Sequence, residues 1–289
     1  MSDFPYLTSK PAQINQEFRK LLVPIWGESE TNAILKQVWE KVLGKNIFFN
    51  LAGAGLLTPN QSQQLSGIIN RLEKNEPLQY IFQTAYFLDI ELKVNSSVLI
   101  PRPETEELVL WVLETELQNQ KTLLDLCTGS GCIAVALCKK GNWKKIAGLD
   151  VSELALEIAA ENAKLHGCNI DWLKLDLLIP NIEMDDSWDV MVSNPPYVLH
   201  SESAKMDQNV LKYEPGIALF VSNDDLLVVY AIIANLAVKK LNRDGVLYFE
   251  INPLFTLEVK NLLQQRGFER VDIKKDIFGK ERMIRAFKP

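Results

Sequence analysis

Leu123-Leu-Asp-Leu-Cys-Thr-Gly-Ser-Gly131 decides how this chain is read. Leu123 to Leu126 is a short apolar run of strand length. Cys127 to Gly131 is a tight turn, and Ile133 to Cys138 starts a helix. A strand, a glycine turn and a helix in that order let backbone approach a ligand beside an electropositive helix end. A lone Gly-x-Gly is a weak signal. It gains weight from Ile146-Ala-Gly-Leu-Asp150, a second strand whose closing acid stands 19 residues after Gly131. That is the spacing at which a carboxylate meets ribose hydroxyls in nucleotide-binding sheets. Asp150 is also placed to cap a helix beginning near Ser152.

Outward from this stretch, strands and helices alternate, the signature of an open parallel α/β sheet. Ser152 to His166 reads as a helix stopped by Gly167. Trp172-Leu-Lys-Leu-Asp176 is a third strand ending in an acid. Asp176 suits an adenine amino group and equally suits a plain loop acid. Val190-Met-Val192 is a fourth strand, Asp225 to Leu241 a helix, and Gly245 to Ile251 a fifth strand. A helix from Pro253 to Arg266 ends at Gly267. Val271–Lys275 and Arg282–Phe287 close the chain as a hairpin around Phe278-Gly279.

The fourth strand runs into Ser193-Asn-Pro-Pro-Tyr197. Each proline locks its own φ and pushes the preceding residue out of the helical region. Asn194 is therefore expected extended, with its amide at the strand end and the Pro195 carbonyl beside it. This suits one chemical problem. An amino group on an sp2 carbon is a poor nucleophile, because its lone pair is delocalised. The Asn194 side-chain oxygen and the Pro195 carbonyl can accept its two N–H bonds and stabilise the positive charge that develops on nitrogen. Tyr197 can stack on the planar group. The plain alternative is a proline-rich turn with a capping Asn.

Residues 1–77 read as a small all-helical domain, expected to recognise the substrate protein, with a plain packing or capping domain as the alternative. Ile34, Leu35, Val38 and Val42 share one helical face before Gly44, and Thr58-Pro-Asn-Gln61 is a capping box. Pro24 is expected to break the first helix near Val23. Residues 78–103 read as a β-hairpin and linker. Tyr86, Leu88, Ile90, Leu92 and Val94 alternate, and Val98-Leu-Ile100 is a further short strand. Residues 104–289 form the α/β domain.

At 289 residues the chain suggests one large or two modest domains. Net charge is −6, with a pI near 5.2. That argues mildly against a nucleic-acid substrate, since phosphate binding needs a basic face. No apolar run is long enough to span a bilayer, and Met1-Ser-Asp-Phe-Pro-Tyr lacks the pattern of a secretory leader, so a cytoplasmic protein is expected. Cys127, Cys132, Cys138 and Cys168 form no Cys-x-x-Cys pair, and free thiols rather than a metal site are expected.

The turn, Asp150, Asp176 and Asn194 all fall at the carboxyl ends of strands, where open α/β sheets bind ligands. A nicotinamide dehydrogenase fits poorly, since the turn lacks Gly-x-Gly-x-x-Gly. A P-loop enzyme is excluded, since no Gly-Lys-Ser/Thr follows. Asp125-Leu-Cys-Thr-Gly-Ser-Gly131, Asp150 and Asn194-Pro-Pro-Tyr197 resemble the class I S-adenosylmethionine-dependent methyltransferases that act on planar amino groups. Glu76-Pro-Leu-Gln-Tyr80, Val98-Leu-Ile-Pro-Arg-Pro-Glu-Thr-Glu106, Tyr213-Glu-Pro-Gly-Ile-Ala-Leu219 and Lys275-Asp-Ile-Phe-Gly-Lys-Glu-Arg282 narrow this. They resemble the release factor glutamine methyltransferases, the HemK or PrmC family.

The resemblance implies a Rossmann-like sheet with a C-terminal antiparallel strand and S-adenosyl-L-methionine as cofactor. It implies methyl transfer to the glutamine amide of the Gly-Gly-Gln loop in class 1 peptide chain release factors. By the same match Cys127, Thr128, Gly129, Ser130, Gly131, Asp150 and Asn194 would hold the cofactor, with Asp176 and Leu177 beside its adenine. Asn194, Pro195, Pro196 and Tyr197 would take the glutamine, and Asn194, Pro195 and Tyr197 would carry the chemistry. Neither membrane nor direct nucleic-acid contact is expected. A ribosomal-protein glutamine methyltransferase, a DNA adenine methyltransferase and a cofactor-binding module without activity stand as alternatives.

Two departures are visible. The family usually has glycine where Cys127 stands, so the backbone there is expected to avoid a glycine-only conformation. Phe220-Val-Ser-Asn-Asp-Asp225 lacks the Gly-Gly and Asp-Gly common in the family.

Overall fold

The structure is a computed structural model that describes residue 6 and residues 8–116, 120–179, 184–221 and 227–288. It divides into two compact units: residues 1–82 with 208–213, and residues 83–207 with 214–289.

The first unit is helical. α1 spans Pro11–Leu43, α2 Pro59–Leu72 and α3 Leu78–Phe82, with a short 3-10 helix at Ile47–Gly53. Pro24 does not set the break in α1. The chain leaves helical geometry at Gly27 (φ 75°, ψ 169°), because glycine takes that conformation without strain. The capping box at α2 forms: Thr58 Oγ1 accepts from Gln61 N, and Gln61 Oε1 accepts from Thr58 N at 2.9 Å. Ile14, Phe18, Leu35, Trp39, Leu65 and Leu72 fill the core. Leu78 is buried in that same core, so α3 belongs with the helices.

In the second unit a hairpin of β1 (Thr84–Phe87) and β2 (Ile90–Lys93) comes first. Its Phe87, Ile90 and Leu92 are buried in the sheet's own core, which is why the hairpin groups with the sheet. Val98–Ile100 is not the strand that was expected. Asn95 folds an Asx turn onto Ser97 N, and Ile100 N donates to a carboxylate, Glu214 Oε2, at 3.2 Å instead of to a ladder.

Then follow α4 (Pro103–Glu116), β3 (Thr122–Leu126), α5 (Cys132–Lys140), β4 (Lys145–Asp150), α6 (Glu153–Leu165), β5 (Asp171–Lys174) and β6 (Trp188–Ser193). A two-residue strand β7 (Val198–Leu199) pairs in parallel with β8 (Phe220–Val221). Between them lies α7 (Gln208–Tyr213), which belongs to the helical unit, where Tyr213 Oη donates to the Lys74 carbonyl at 2.8 Å. The chain ends with α8 (Val228–Lys240), β9 (Leu241–Glu250), α9 (Thr256–Gln265), β10 (Arg270–Lys275) and β11 (Glu281–Phe287). Asp225, the expected start of α8, lies outside the described residues, as does the 222–225 part of the departing loop.

Seven strands form the central sheet in the order β10-β11-β9-β6-β3-β4-β5. β5, β4, β3, β6 and β9 are parallel, and β11 runs antiparallel to both β9 and β10. Strand side chains alternate between two cores, as the period of two requires. Leu123, Val190, Val192 and Tyr248 face the side covered by α4 and α5. Leu124, Met191, Leu247 and Phe249 face the side covered by α8 and α9. Both faces are covered, which explains the unbroken apolar runs.

The order of strands reverses between β3 and β6. From β3 the chain moves outward to β4 and β5, then returns to β6 on the other side. That reversal opens a crevice beyond the carboxyl ends of these two strands.

Candidate functional site

Register places the site residues in one row. Leu126 of β3 pairs with Leu149 of β4 and with Ser193 of β6, and Ser193 pairs with Phe249 of β9. One residue further along stand Asp150, Cys127, Asn194 and Glu250. The sheet therefore brings these four residues to adjacent strand ends. Ser193 Oγ locks the row by donating to the Leu126 carbonyl at 2.7 Å.

The turn after β3 is held from below. Asp125 is fully buried; its Oδ2 accepts from Thr128 Oγ1 at 2.5 Å and from Ala134 N at 3.2 Å. Burial pushes its carboxyl up to about 7. Thr128 N donates to the Leu149 carbonyl, and Gly129 N donates to Asp150 Oδ2 at 2.9 Å. The other Asp150 oxygen accepts from Ser152 N at 2.9 Å, while Ser152 Oγ caps α6. Asp150 thus braces turn and helix together, and each oxygen keeps a lone pair for a further donor. Burial raises its pKa, partly offset by these amides.

Thr128 and Ser130 are buried, so they offer a ligand backbone rather than side chain. Gly131 is needed for packing: at φ +76° a Cβ would lie 3.0 Å from Ala159 Cβ and 3.1 Å from the Trp172 ring. Gly129 (φ +55°) faces open space, with nothing within 4 Å of the position a Cβ would take.

Cys127 corrects the sequence reading. Its φ is +59°, inside the left-handed region that favours glycine. The chain keeps the backbone that a glycine would have and carries a side chain on it, packed against the core under β3 and β6. Burial, with Asp150 nearby, pushes its thiol up to about 12. It is no nucleophile.

Asp176 stands two residues beyond β5, half-buried, and its Oδ1 accepts from Leu178 N at 2.9 Å. Leu177 is buried against the core beside it.

Asn194, Pro195 and Tyr197 line a small cavity of about 50 Å³ with Leu99, Arg102, Val198, Ala218 and Leu219. Pro196 is half-buried beside it. Asn194 Nδ2 donates to Thr105 Oγ1 at 3.0 Å. Thr105 Oγ1 donates to Glu250 Oε2 at 2.6 Å, and Tyr197 Oη donates to Glu250 Oε1 at 2.8 Å. Tyr197 was expected to offer only an aromatic face, but its hydroxyl is anchored too. Burial, then the Glu250 charge, lifts its pKa well above the ordinary value. Thr105 and Glu250 were missed in the sequence. The available signal was an acid closing the apolar strand Val246-Leu-Tyr-Phe-Glu250, the same pattern that exposed Asp150.

Asn162 was missed as well. Fully buried in α6, it donates from Nδ2 to the carbonyls of Ser130 and Lys93 and accepts from Lys93 N at 2.7 Å. It ties the glycine turn to the hairpin. No signal in the helix marks it.

The methyltransferase small domain profile matches residues 104–229. A release factor glutamine methyltransferase of Lactococcus lactis is 41% identical over 254 residues, covering 86% of this chain and 92% of that one. The one from Bacteroides thetaiotaomicron is 37% identical over 275 residues, covering 95% and 99%. The chain belongs to the release factor glutamine methyltransferase family. It is therefore an S-adenosylmethionine-dependent methyltransferase. A solved methyltransferase from Pyrococcus furiosus, at 19% identity, shares the fold alone, with a TM-score of 0.52 over 70% of this chain and 90% of that one.

The residues present suit the family's cofactor. Asp125 Oδ1 is buried and has no hydrogen-bond partner among the described residues, an unspent acceptor under the turn. Asp150 and Glu250 place carboxyl groups at the strand ends, which suits a cationic ligand. Among the described residues no helix is long and apolar enough to cross a membrane.

Proposed function

We propose that this chain transfers a methyl group from S-adenosylmethionine to the side-chain amide nitrogen of the glutamine in the Gly-Gly-Gln loop of class 1 release factors. The names of the relatives support the substrate. The observation that carries the chemistry is the direction of the Asn194 amide. Its Nδ2 is spent on Thr105, which leaves Oδ1 as an acceptor at the strand end. Pro195 lines the same cavity, and its carbonyl is the second acceptor of this reading.

Bound S-adenosylmethionine supplies an electrophilic methyl group on a cationic sulfur. Cys127 to Gly131, Asp150, Asp176 and Leu177 would hold it by backbone, carboxylate and apolar contact. Asn194 Oδ1 and the Pro195 carbonyl accept the two N–H bonds of the glutamine amide. Tyr197 and Pro196 wall the planar group. These acceptors raise electron density on the nitrogen and stabilise the charge it gains as the N–C bond forms and the S–C bond breaks. The nitrogen then gives up one proton to water, so no strong base is required.

The helical unit is the natural candidate for recognising the larger protein substrate, since the strand-end row lies wholly in the other unit. The four cysteines have no Cys-x-x-Cys spacing, which is in keeping with a reducing, cytoplasmic setting.

Methyl transfer from labelled cofactor tests the proposal. The substrates are full-length release factor, the same factor with its Gly-Gly-Gln glutamine changed to alanine, and duplex DNA. Label only on the first is expected; label on the alanine variant or on DNA would overturn it. Asn194→Ala should lower turnover about a hundredfold with folding intact, through loss of one preorganised acceptor. Near-normal turnover would remove Asn194 from the mechanism.

A further inference from the structure

The amide of Asn194 has two ends, and only one of them serves the reaction. Its oxygen can accept from a substrate N–H; its nitrogen cannot. The side chain of Asn194 is free to present either end unless something chooses between them.

The choice is made two residues away. Both oxygens of Glu250 face hydroxyl groups: Thr105 Oγ1 at 2.6 Å and Tyr197 Oη at 2.8 Å. Burial raises the Glu250 pKa, while the Thr105 and Tyr197 hydroxyls and the Arg282 charge favour the ionised form; as a carboxylate Glu250 accepts and does not donate. Thr105 has a single hydroxyl proton, and the short contact to Glu250 takes it. What Thr105 turns toward Asn194 is then lone pairs only. Asn194 must answer with Nδ2, at 3.0 Å. Turned over, its Oδ1 would meet the Thr105 oxygen with no proton between them. Thr105 and Glu250 are both buried, so water is poorly placed to relieve such a mismatch.

We propose that Glu250, acting through Thr105, is a positioning residue for methyl transfer. It fixes the direction of the hydrogen-bond chain and thereby the end of Asn194 that faces the substrate. This rests on the reading of Asn194 as the acceptor for the substrate amide. The chain of contacts joins three separate elements: the first turn of α4, the end of β6 and the end of β9. Tyr197, on the other Glu250 oxygen, is held by the same group, so one carboxylate sets both a hydrogen-bonding and a stacking wall of the cavity.

Four variants test it with release factor as substrate. Thr105→Val keeps the shape and removes the oxygen. Its kcat should fall about tenfold, with cofactor affinity unchanged within about twofold. Thr105→Ser, which keeps the hydroxyl, should recover most of that loss. Glu250→Gln presents one acceptor and one donor to the two hydroxyls and unfixes the Thr105 proton, so its kcat should fall severalfold. The double variant Thr105→Val with Glu250→Gln should lose less than the product of the two single losses, since both share the Thr105 link, and what remains beyond Thr105→Val reports the Tyr197 contact.

Solvent exchange of the Asn194 side-chain amide protons, followed by NMR and assigned by their loss in Asn194→Ala, reads the same link without turnover. Exchange should be slow in the parent and in Thr105→Ser, and fast in Thr105→Val. Unchanged kcat in Thr105→Val or Glu250→Gln, or a Thr105→Ser variant as slow as Thr105→Val, would overturn the proposal. Asn194→Ala separates the two levels. If it loses turnover while Thr105→Val keeps it, only the positioning role falls. If Asn194→Ala keeps turnover, the acceptor reading falls with it.

Discussion

Arg102 and Glu214 stand 112 positions apart in the chain, and Arg102 Nη2 donates to Glu214 Oε1 at 2.6 Å. The Glu214 side chain is only 1% exposed, against 34% for Arg102. Its second oxygen accepts from Ile100 N. The pair pins the segment before α4 to the return of the chain at Glu214, whose Ala218 and Leu219 wall the cavity beside Asn194. Arg102→Ala would leave a buried carboxylate without its cation. Breaking such a pair is costly, and the partial exposure of the guanidinium reduces the cost here to about 2 kcal/mol. We expect the KM for release factor to rise severalfold while cofactor affinity, followed by calorimetry, stays within about twofold. A fall in cofactor affinity with KM unchanged would move Arg102 to the other half of the site.

Gly148 of β4 pairs with Trp172 of β5, and the indole lies over it. A Cβ at Gly148 would sit 2.2 Å from a ring carbon, far inside contact distance. The same ring closes on Gly131 in the turn, so it cannot move freely aside. Gly148→Ala should cost about 3 kcal/mol in urea unfolding, the upper part of the overpacking range. A loss below about 0.5 kcal/mol would mean that Trp172 has another place to go.

These two relationships mark where the sequence was legible and where it was not. The five parallel strands, the glycine turn and the row of strand-end residues follow from local patterns: apolar runs, glycines and closing acids. Register then carries Cys127, Asp150 and Asn194 to adjacent positions without further information. Asn162 carries no local mark, and Thr105 and Glu214 are marked only as members of the family-like stretches Val98–Glu106 and Tyr213–Leu219, which say nothing of their partners. Their roles come from partners 32 to 145 residues away, and a single sequence does not show such pairs. Val98–Ile100 has strand composition, yet its backbone amide is taken by Glu214, and a carboxylate partner is invisible to periodicity. Pro24 looked like the stronger helix breaker, but Gly27 bends the chain, since a proline in a last turn removes only one bond whereas a left-handed residue redirects the backbone.

Cys127 tests the cost of a side chain at positive φ. The left-handed conformation disfavours an L residue by about 1 kcal/mol. Cys127→Gly removes that cost and loses the packing of one small side chain. We expect urea unfolding to show a gain of up to about 1 kcal/mol. A loss would mean that the half-buried side chain contributes more than the strain costs. In the parent protein, a thiol raised to about 12 is ionised in about one molecule in ten thousand at pH 8. Alkylation of Cys127 should therefore be far slower than that of an ordinary exposed thiol, and mass spectrometry of the tryptic peptide would measure it.

Asp125 gives the turn a pH dependence whose sign can be worked out. Its carboxyl moves from an ordinary 3.8 to about 7 on folding, because burial disfavours the charged form more than Thr128 and Ala134 N favour it. The folded chain thus holds this proton more tightly than the unfolded one. The associated stability is complete below about pH 4, falls as pH rises toward 7, and is absent above. Asp125→Asn keeps an acceptor for Thr128 Oγ1 and Ala134 N and removes the titration. Between pH 5 and pH 8, without cofactor, the parent should lose about 3 kcal/mol relative to Asp125→Asn in urea unfolding. Comparing the two proteins cancels the trends of Asp150 and Glu250, whose pKa values burial also raises, while Asp189, Asp272 and Asp276, held below their ordinary range, titrate below this window. A difference that does not change with pH would show Asp125 ionised throughout, with its unpartnered oxygen satisfied by a cation or water in solution.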